Sequence, residues 1–441
     1  MKKFNYKSLT EVVNDFSDFA LQSPEDLSIL GEELVIGTKK VSNRFVIQPM
    51  EGVDANLDGT PSELTLRRYE RFARGGAGLI WVEAVAVVPE GRTSKNQLWL
   101  TKENVGAFKA LVDKIRLWAK DSMGDDFQQT IIIQLTHSGR FSKPNNVSAP
   151  IITYHNPYLN QKMPIDPTYP VVTDEYLEQL EDEYVEKALL AYEAGFDGVD
   201  IKCTHRYLIS ELTSAYLREG KYGGTFENRT RFLTNVVKKI RAKLGDKLLL
   251  TVRLNIYDGI PYPYGFGVDK EDYRKIDYTE PLKLIGILRD LGVKVINVSM
   301  GSPYYYPHVN RPFDVGNYTP DEDPIDGVKR LLRGAEVVQK TFPDLIVVGT
   351  GFSWLRQYSA NIAAGLIRNG SISMAGIGRM AFAYPDMPKD IVLNKTFNSR
   401  KTCITCSKCS DLKSIAVITG CVVRDTDIYV PPYLEHFRKG K

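Results

Sequence analysis

Short apolar runs alternate with long amphipathic stretches about eight times along this chain, and that rhythm limits the folds open to it. The runs are "FVIQPM" (45–50), "LIWVEA" (79–84), "TIIIQL" (130–135), "GVDIK" (198–202), "LLLTVRL" (248–254), "VKVINVS" (293–299), "LIVVGTG" (345–351) and "ISMAGIG" (372–378). Most are near-continuous in Val, Ile and Leu, as parallel strands covered on both faces require. The stretches between them carry helix signals. "TPSELTLRRYERFARGG" opens on Thr60, Pro61 and Glu63, the pattern of a capping box with proline at the first helical position, and it ends in glycine. "DEYLEQLEDEYVEKALLAYEAG" and "TEPLKLIGILRDLG" also end in glycine, as helices closed by a left-handed C-cap do. Eight strand–helix units predict an α/β fold of the (β/α)8 TIM-barrel kind. A doubly wound sheet is the alternative, but no glycine fingerprint follows the first run.

Two regions fall outside the units. Residues 1–40 are a lead-in, and the segment "LVIGTKKVSNRF" reads as a small hairpin closing the barrel floor. The barrel is expected over 41–390, followed by a short C-terminal cysteine-rich extension, 391–441. The third unit carries an insertion, 138–172, rich in Pro, Asn and Tyr and expected to lie over the barrel mouth.

Composition excludes little but is useful at two points. Lys and Arg number 57 against 54 Asp and Glu, a net charge of +3, which gives no reason to expect nucleic acid as a partner. The N-terminus "MKKFNYKSLTEVVNDFSDFALQ" lacks the apolar core of a signal peptide, and no window approaches the apolar length of a membrane span. A cytoplasmic protein with reduced thiols is therefore expected, with no membrane partner.

In a barrel, chemistry gathers where strands end and the following loops begin. Pro49 and Met50 end the first run, and Glu83 and Ala84 the second. Gln134 ends the third and Arg253 lies on the fifth. These two long polar side chains fit either a hydrogen-bonded plug across the barrel or recognition of a flat heterocycle. The last two runs end "GTG" (349–351) and "GIGR" (376–379), where bare backbone N–H groups and Arg379 suit a phosphate. Lys202, His205 and Tyr207 follow the fourth run within six positions, and all three can donate a proton or a hydrogen bond.

At these residues the chain resembles the Old Yellow Enzyme family of flavin-dependent ene-reductases, over roughly residues 30 to 390. The resemblance rests on "NRFVIQPM", "RYERFARGGAGLIWVEA", "QLTHSGR", "HRYLISEL", "KYGGTFENRTRF", "TVRL" and "GIGRMAFAYPDMP". It implies a noncovalent FMN at the barrel mouth, with Pro49, Met50 and Ala84 against the ring. It further implies Gln134 at the pyrimidine edge, Arg253 near the N1–C2 carbonyl, and Gly351, Gly378 and Arg379 on the phosphate. The family's pair that polarises the substrate carbonyl falls on Lys202 and His205. Lys202 departs from the usual histidine and leaves open whether the ammonium is an electrophile or a carboxylate ligand. Tyr207 matches the family's proton donor. The implied reaction is reduction of the C=C bond of an α,β-unsaturated carbonyl compound: an acid, a thioester or a steroid-like enone. Tyr and Pro residues in "GSPYYYPHVN" (301–310) are expected to shape the pocket.

Four of the five cysteines, Cys403, Cys406, Cys409 and Cys421, have the spacing C-x2-C-x2-C-x11-C. Three thiolates two residues apart with a fourth further along suit a [4Fe–4S] cluster, whereas structural zinc more often uses two separated CxxC pairs. The tail resembles the segment that follows the barrel in the iron–sulfur branch of the same family, which includes 2,4-dienoyl-CoA reductase and trimethylamine dehydrogenase. Those relatives continue into a further nucleotide- and flavin-binding region, and this chain ends at Lys441. Electrons are thus expected from a separate ferredoxin, flavodoxin or NADH-oxidising subunit, or from NAD(P)H at the flavin. The alternative direction is an amine dehydrogenase or demethylase that exports electrons through the cluster. Homo-oligomerisation is left open. Cys203 reads as a packed strand residue.

Overall fold

The computed structural model describes residues 1–437, so the last four residues of the 391–441 segment, Lys441 among them, lie outside the described residues. A hairpin of β1 (Leu34–Ile36) and β2 (Lys39–Val41) precedes eight parallel strands. These are β3 (Phe45–Ile47), β4 (Leu79–Ala86), β5 (Thr130–Thr136), β6 (Gly198–Ile201), β7 (Leu249–Asn255), β8 (Val295–Ser299), β9 (Ile346–Gly349) and β10 (Met374–Ile377). They follow the eight apolar runs in order. β10 pairs with both β9 and β3, Ala375 lying opposite Gly349 on one side and Phe45 on the other, so the sheet closes into a TIM barrel. Nearly every strand residue is buried, which explains the absence of polar–apolar alternation in the runs.

The helices between strands bury one stripe each. In Phe226–Leu244 the buried positions include Phe232, Leu233, Val236, Val237 and Ile240, spaced at three and four residues. Each such side chain taken from water contributes roughly 1.5–3 kcal/mol, so packing holds these helices far more than local propensity does. The helices Asp174–Glu193 and Thr279–Asp290 are followed by Gly195 (φ +84°) and Gly292 (φ +95°), the left-handed positions that the glycine endings predict.

One cap differs from the expected pattern. The helix in "TPSELTLRRYERFARGG" starts at Glu63, and its N-cap is Ser62, whose hydroxyl accepts the Thr65 N–H. Thr60 and Pro61 lie outside the helix. The Asn56 N–H donates to the Thr60 carbonyl and the Thr60 hydroxyl donates to Asp58, so Thr60 belongs to a preceding turn.

The hairpin seals the lower end of the barrel. Leu34, Ile36 and Val41 pack against the interior residues Trp81, Ile132 and Leu249. At the other end, the insertion after β5 crosses the mouth as a loop with one short helix, Pro157–Lys162. Beyond β10 the chain makes short helices at Arg379–Ala383 and Met387–Val392 before entering the cysteine segment, which contains helices Lys408–Ser414 and Thr426–Phe437. That segment returns to the mouth: the Thr419 N–H donates to the Gly52 carbonyl at 2.7 Å, and Arg67 and Arg71 both pair with Asp425. Among the described residues no helix is long and apolar enough to cross a membrane.

Candidate active site

The C-terminal ends of the strands open into a cavity of about 400 Å3, within the range of small-molecule and cofactor sites. Pro49 and Met50 follow β3, Arg253 sits on β7, Gly351 follows β9, and Gly378 and Arg379 follow β10; all six line the cavity, as does His205 after β6. Phe141 and Leu159 from the insertion and Cys409 and Lys413 from the cysteine segment complete the wall. Pro303, Tyr304 and Asn310, from the stretch expected to shape the pocket, also lie on it.

Four expected residues are not on the wall. Ala84 and Gln134 face each other on β4 and β5, below the cavity. The Gln134 amide donates to Asp200 at 2.6 Å, and Asp200 also accepts from Trp81 Nε1 and the Arg253 N–H. Burial raises the Asp200 carboxyl to about 6. Gln134 therefore belongs to a buried polar cluster centred on Asp200, which also takes the Arg253 backbone N–H. Lys202 and Tyr207 are also buried behind the wall.

Two arginines on the wall each keep a buried nitrogen unsatisfied. Arg253 Nε and Arg379 Nη1 are buried and have no hydrogen-bond partner among the described residues. Burial lowers Arg253 to about 10, which leaves it charged at neutral pH. Arg379 spends one nitrogen on the Pro312 carbonyl at 2.7 Å and keeps the other free. Gly351 has φ +110°, a conformation that a side chain resists, and it brings bare backbone to the same end of the cavity. Buried, charged donors left open cost free energy unless a ligand meets them. This set of donors suits an anionic ligand rich in carbonyl and phosphate oxygens, as FMN is.

A sharp turn sets the residues after β6. His205 (φ +67°) and Arg206 (φ +62°) are consecutive left-handed residues without being glycine, a strained arrangement that the surroundings hold in place. Buried Arg206 is clamped by Asp258 at 2.6 Å and by the Tyr154 hydroxyl at 2.9 Å. The turn leaves His205 Nε2 buried without a partner among the described residues. Burial and the Arg253 and Lys202 charges hold His205 well below its ordinary value, so the ring is neutral at pH 7.

Lys202 lies 3.7 Å from Glu51 and 4.1 Å from the Tyr207 ring centroid. Burial outweighs the Glu51 attraction and brings Lys202 down to about 7. Tyr207 is 1% exposed, and its hydroxyl lies 3.0 Å from that of Tyr304, which is 37% exposed. Burial raises the Tyr207 phenol well above its ordinary value, so it is fully protonated. Sequence reasoning missed Glu51 and Lys413. Glu51 directly follows Met50 in "FVIQPMEG", the one signal that marks it as a strand-end residue.

Cys403, Cys406, Cys409 and Cys421 line a second, smaller recess. Left-handed Thr405 (φ +49°) and Ser407 (φ +60°) turn the chain between the first three cysteines, all of which line the recess. The Thr405 N–H donates to Cys403 Sγ at 3.4 Å. Burial raises Cys403 to about 12 and Cys421 to about 11. Among the described residues no group of three or more His, Cys, Asp or Glu side chains is spaced to hold a metal ion. Cys409, Arg379 and Phe382 line both this recess and the large cavity. Cys203 is buried on the strand side, away from both.

Comparison with known proteins matches residues 30–279 to the family model described as "NADH:flavin oxidoreductase / NADH oxidase family". An NADH oxidase of Thermoanaerobacter brockii is 26% identical over 380 residues, covering 84% of this chain and 52% of its own length. An NADPH dehydrogenase of Listeria welshimeri is 30% identical over 298 residues, covering 65% of this chain and 79% of its own. Among solved structures, a 2-naphthoyl-CoA reductase in complex with 2-naphthoyl-CoA superposes with a TM-score of 0.71 at 20% identity, over 90% of this chain and 57% of that one. The chain thus spans about half the length of the Thermoanaerobacter protein and 57% of the reductase.

Proposed function

The chain belongs to the NADH:flavin oxidoreductase / NADH oxidase family, and from that premise we propose that it is an FMN-dependent reductase of the C=C bond of α,β-unsaturated carbonyl compounds. The observation that supports the reading is that Arg253, Arg379 and His205, each with a buried unpartnered nitrogen, line one cavity at the mouth of the barrel. When bound, FMN supplies hydride transfer from NAD(P)H, or from an electron donor, to the substrate's β-carbon.

The residues of the chain bind, orient and protonate. Arg253 presents a fixed positive charge to the ring's carbonyl edge, and Arg379 with Gly351 and Gly378 holds the phosphate. Pro49 and Met50 pack against the ring. Neutral His205 donates a hydrogen bond to the substrate carbonyl and keeps its proton, because its charged form is disfavoured here. Lys202 is held by Glu51 and supports Tyr207 from behind. Tyr207 is the source of the proton that reaches the α-carbon. Burial keeps the phenol an acid at every physiological pH.

The four cysteines of the C-terminal segment are assigned to a [4Fe–4S] cluster, whose chemistry is single-electron transfer from a separate donor protein. The shared wall residues Cys409, Arg379 and Phe382 support this reading, since a single layer of residues divides the recess from the cavity there.

Protein purified without oxygen decides these assignments. Flavin absorbance with about four irons and sulfide per chain is expected. Chemically reduced protein is then mixed with 2-cyclohexen-1-one, and reoxidation of the flavin is expected. Reduction of the oxidised protein by trimethylamine, with no response to the enone, overturns the reading in favour of amine oxidation.

A further inference from the structure

Tyr207 stands 1% exposed, and the cavity wall in front of it is Tyr304. The two hydroxyls are 3.0 Å apart, a normal O–H···O hydrogen bond. We propose that Tyr304 is a second catalytic tyrosine, passing the proton of Tyr207 to the substrate. This rests on the reading of Tyr207 as the proton source.

Tyr304 is held for that task. The Ser302 hydroxyl donates to the His205 carbonyl at 3.2 Å and accepts the Tyr304 N–H at 3.2 Å, which ties the loop after β8 to the turn after β6. Its ring stacks on Phe141, centroids 3.8 Å apart and planes 18° apart. The Tyr207 ring lies 6.1 Å from the Tyr304 ring at 26° and 5.9 Å from Phe141, with the Lys202 ammonium 4.1 Å from its centroid. Lys202, Tyr207, Tyr304 and the cavity therefore form one continuous line. Along it, Tyr304 is the wall residue whose hydroxyl meets that of Tyr207.

The protons balance as a two-step shuttle. Hydride addition at the β-carbon leaves an enolate. The Tyr304 O–H bond breaks as the new C–H bond forms at the α-carbon, and the Tyr207 proton moves across to the Tyr304 oxygen. Tyr207 is left as a phenolate, and a proton from solvent returns to it through the hydroxyl of Tyr304, the exposed member of the pair. No oxidant or reductant is involved beyond those of the hydride step.

Tyr304→Phe removes one hydroxyl and keeps the stack on Phe141. In single turnovers of pre-reduced holoenzyme with 2-cyclohexen-1-one, Tyr304→Phe and Tyr207→Phe are each expected to slow flavin reoxidation about a hundredfold. The double variant is expected to be no slower than either single, because both act on one proton path. Flavin content and the urea unfolding midpoint should be unchanged, which separates the effect from misfolding. In holoenzyme with 13C-labelled tyrosine, the Cζ resonance of Tyr207 should shift in Tyr304→Phe. A slow Tyr207→Phe with a normal Tyr304→Phe overturns the relay and leaves the functional reading intact. A slow Tyr304→Phe with a normal Tyr207→Phe also overturns it. If neither substitution matters, or the enone is never reduced, the reading of Tyr207 itself has failed. An unmoved Tyr207 resonance removes the hydrogen bond on which the relay depends.

Discussion

Lys413, on the helix between the third and fourth cysteines, sets its ammonium 2.8 Å from the carboxylate of Glu51 at the end of β3. Glu51 faces Lys202 on its other side, at 3.7 Å. The cysteine segment is thereby joined to the charge network beneath the catalytic turn. Glu51 is 6% exposed, and the two lysines hold its carboxyl below the ordinary range even though burial opposes this.

Removing one end of that pair leaves a buried charge behind. Lys413→Met should destabilise the protein by about 1–2 kcal/mol, below the full value for a buried ion pair because the lysine is partly exposed. Adding Glu51→Gln should restore at least part of the loss. Urea denaturation of the three variants measures this, and an unchanged midpoint in the single variant would show that the pair contributes nothing.

Lys202 gives the stability a definite pH dependence. Its folded value of about 7 lies below the ordinary 10.5, so between those pH values the unfolded chain binds more protons than the native one. Native stability attributable to this residue therefore rises with pH across the window, by at most about 1.4 kcal/mol per unit. The wild type should gain on Lys202→Met between pH 7 and 9 in denaturant titrations. A constant difference between the two proteins rejects the assignment.

Arg379 is expected to retain the flavin phosphate. Arg379→Gln removes a charged hydrogen bond contributing about 1.5–3 kcal/mol, so FMN dissociation should strengthen tenfold to a hundredfold. Release of flavin fluorescence on dilution reads this directly. Tight FMN in the variant would move the phosphate elsewhere in the cavity.

The cysteines make a separable claim. Cys406→Ser should lose iron and sulfide while keeping FMN and the barrel's cooperative unfolding, because its recess lies outside the ring of strands. Metal analysis beside the flavin spectrum tests it. Full iron content in the variant would remove Cys406 from the ligand set.

The barrel was legible because each of its strands is buried on both faces, and a run such as "TIIIQL" has no other use in a chain of this composition. The mouth was partly legible for a related reason: Arg253, His205 and Arg379 directly follow or end such runs. Depth was not. Periodicity shows that Gln134 and Tyr207 are near strand ends, but whether a side chain meets the cavity or stops one layer behind it depends on neighbours such as Asp200 and Tyr304, which are distant in sequence. The same holds for β4, where the register shifts between Val82 and Ala84 and Glu83 turns to Arg68 and Tyr69 on the outer helix. Lys413 lay in a segment whose thiols drew all the attention, and only the fold brings it to Glu51.

The hairpin under the barrel has a kinetic consequence. With Leu34, Ile36 and Val41 packed into the lower end, the described residues close the interior on that side, and the cavity lies at the mouth. A hydride donor and an acceptor that both need the cavity must then use it alternately, each leaving before the other enters. Initial-rate plots at several fixed acceptor concentrations should run parallel, and an excess of either reactant should inhibit by occupying the other's turn.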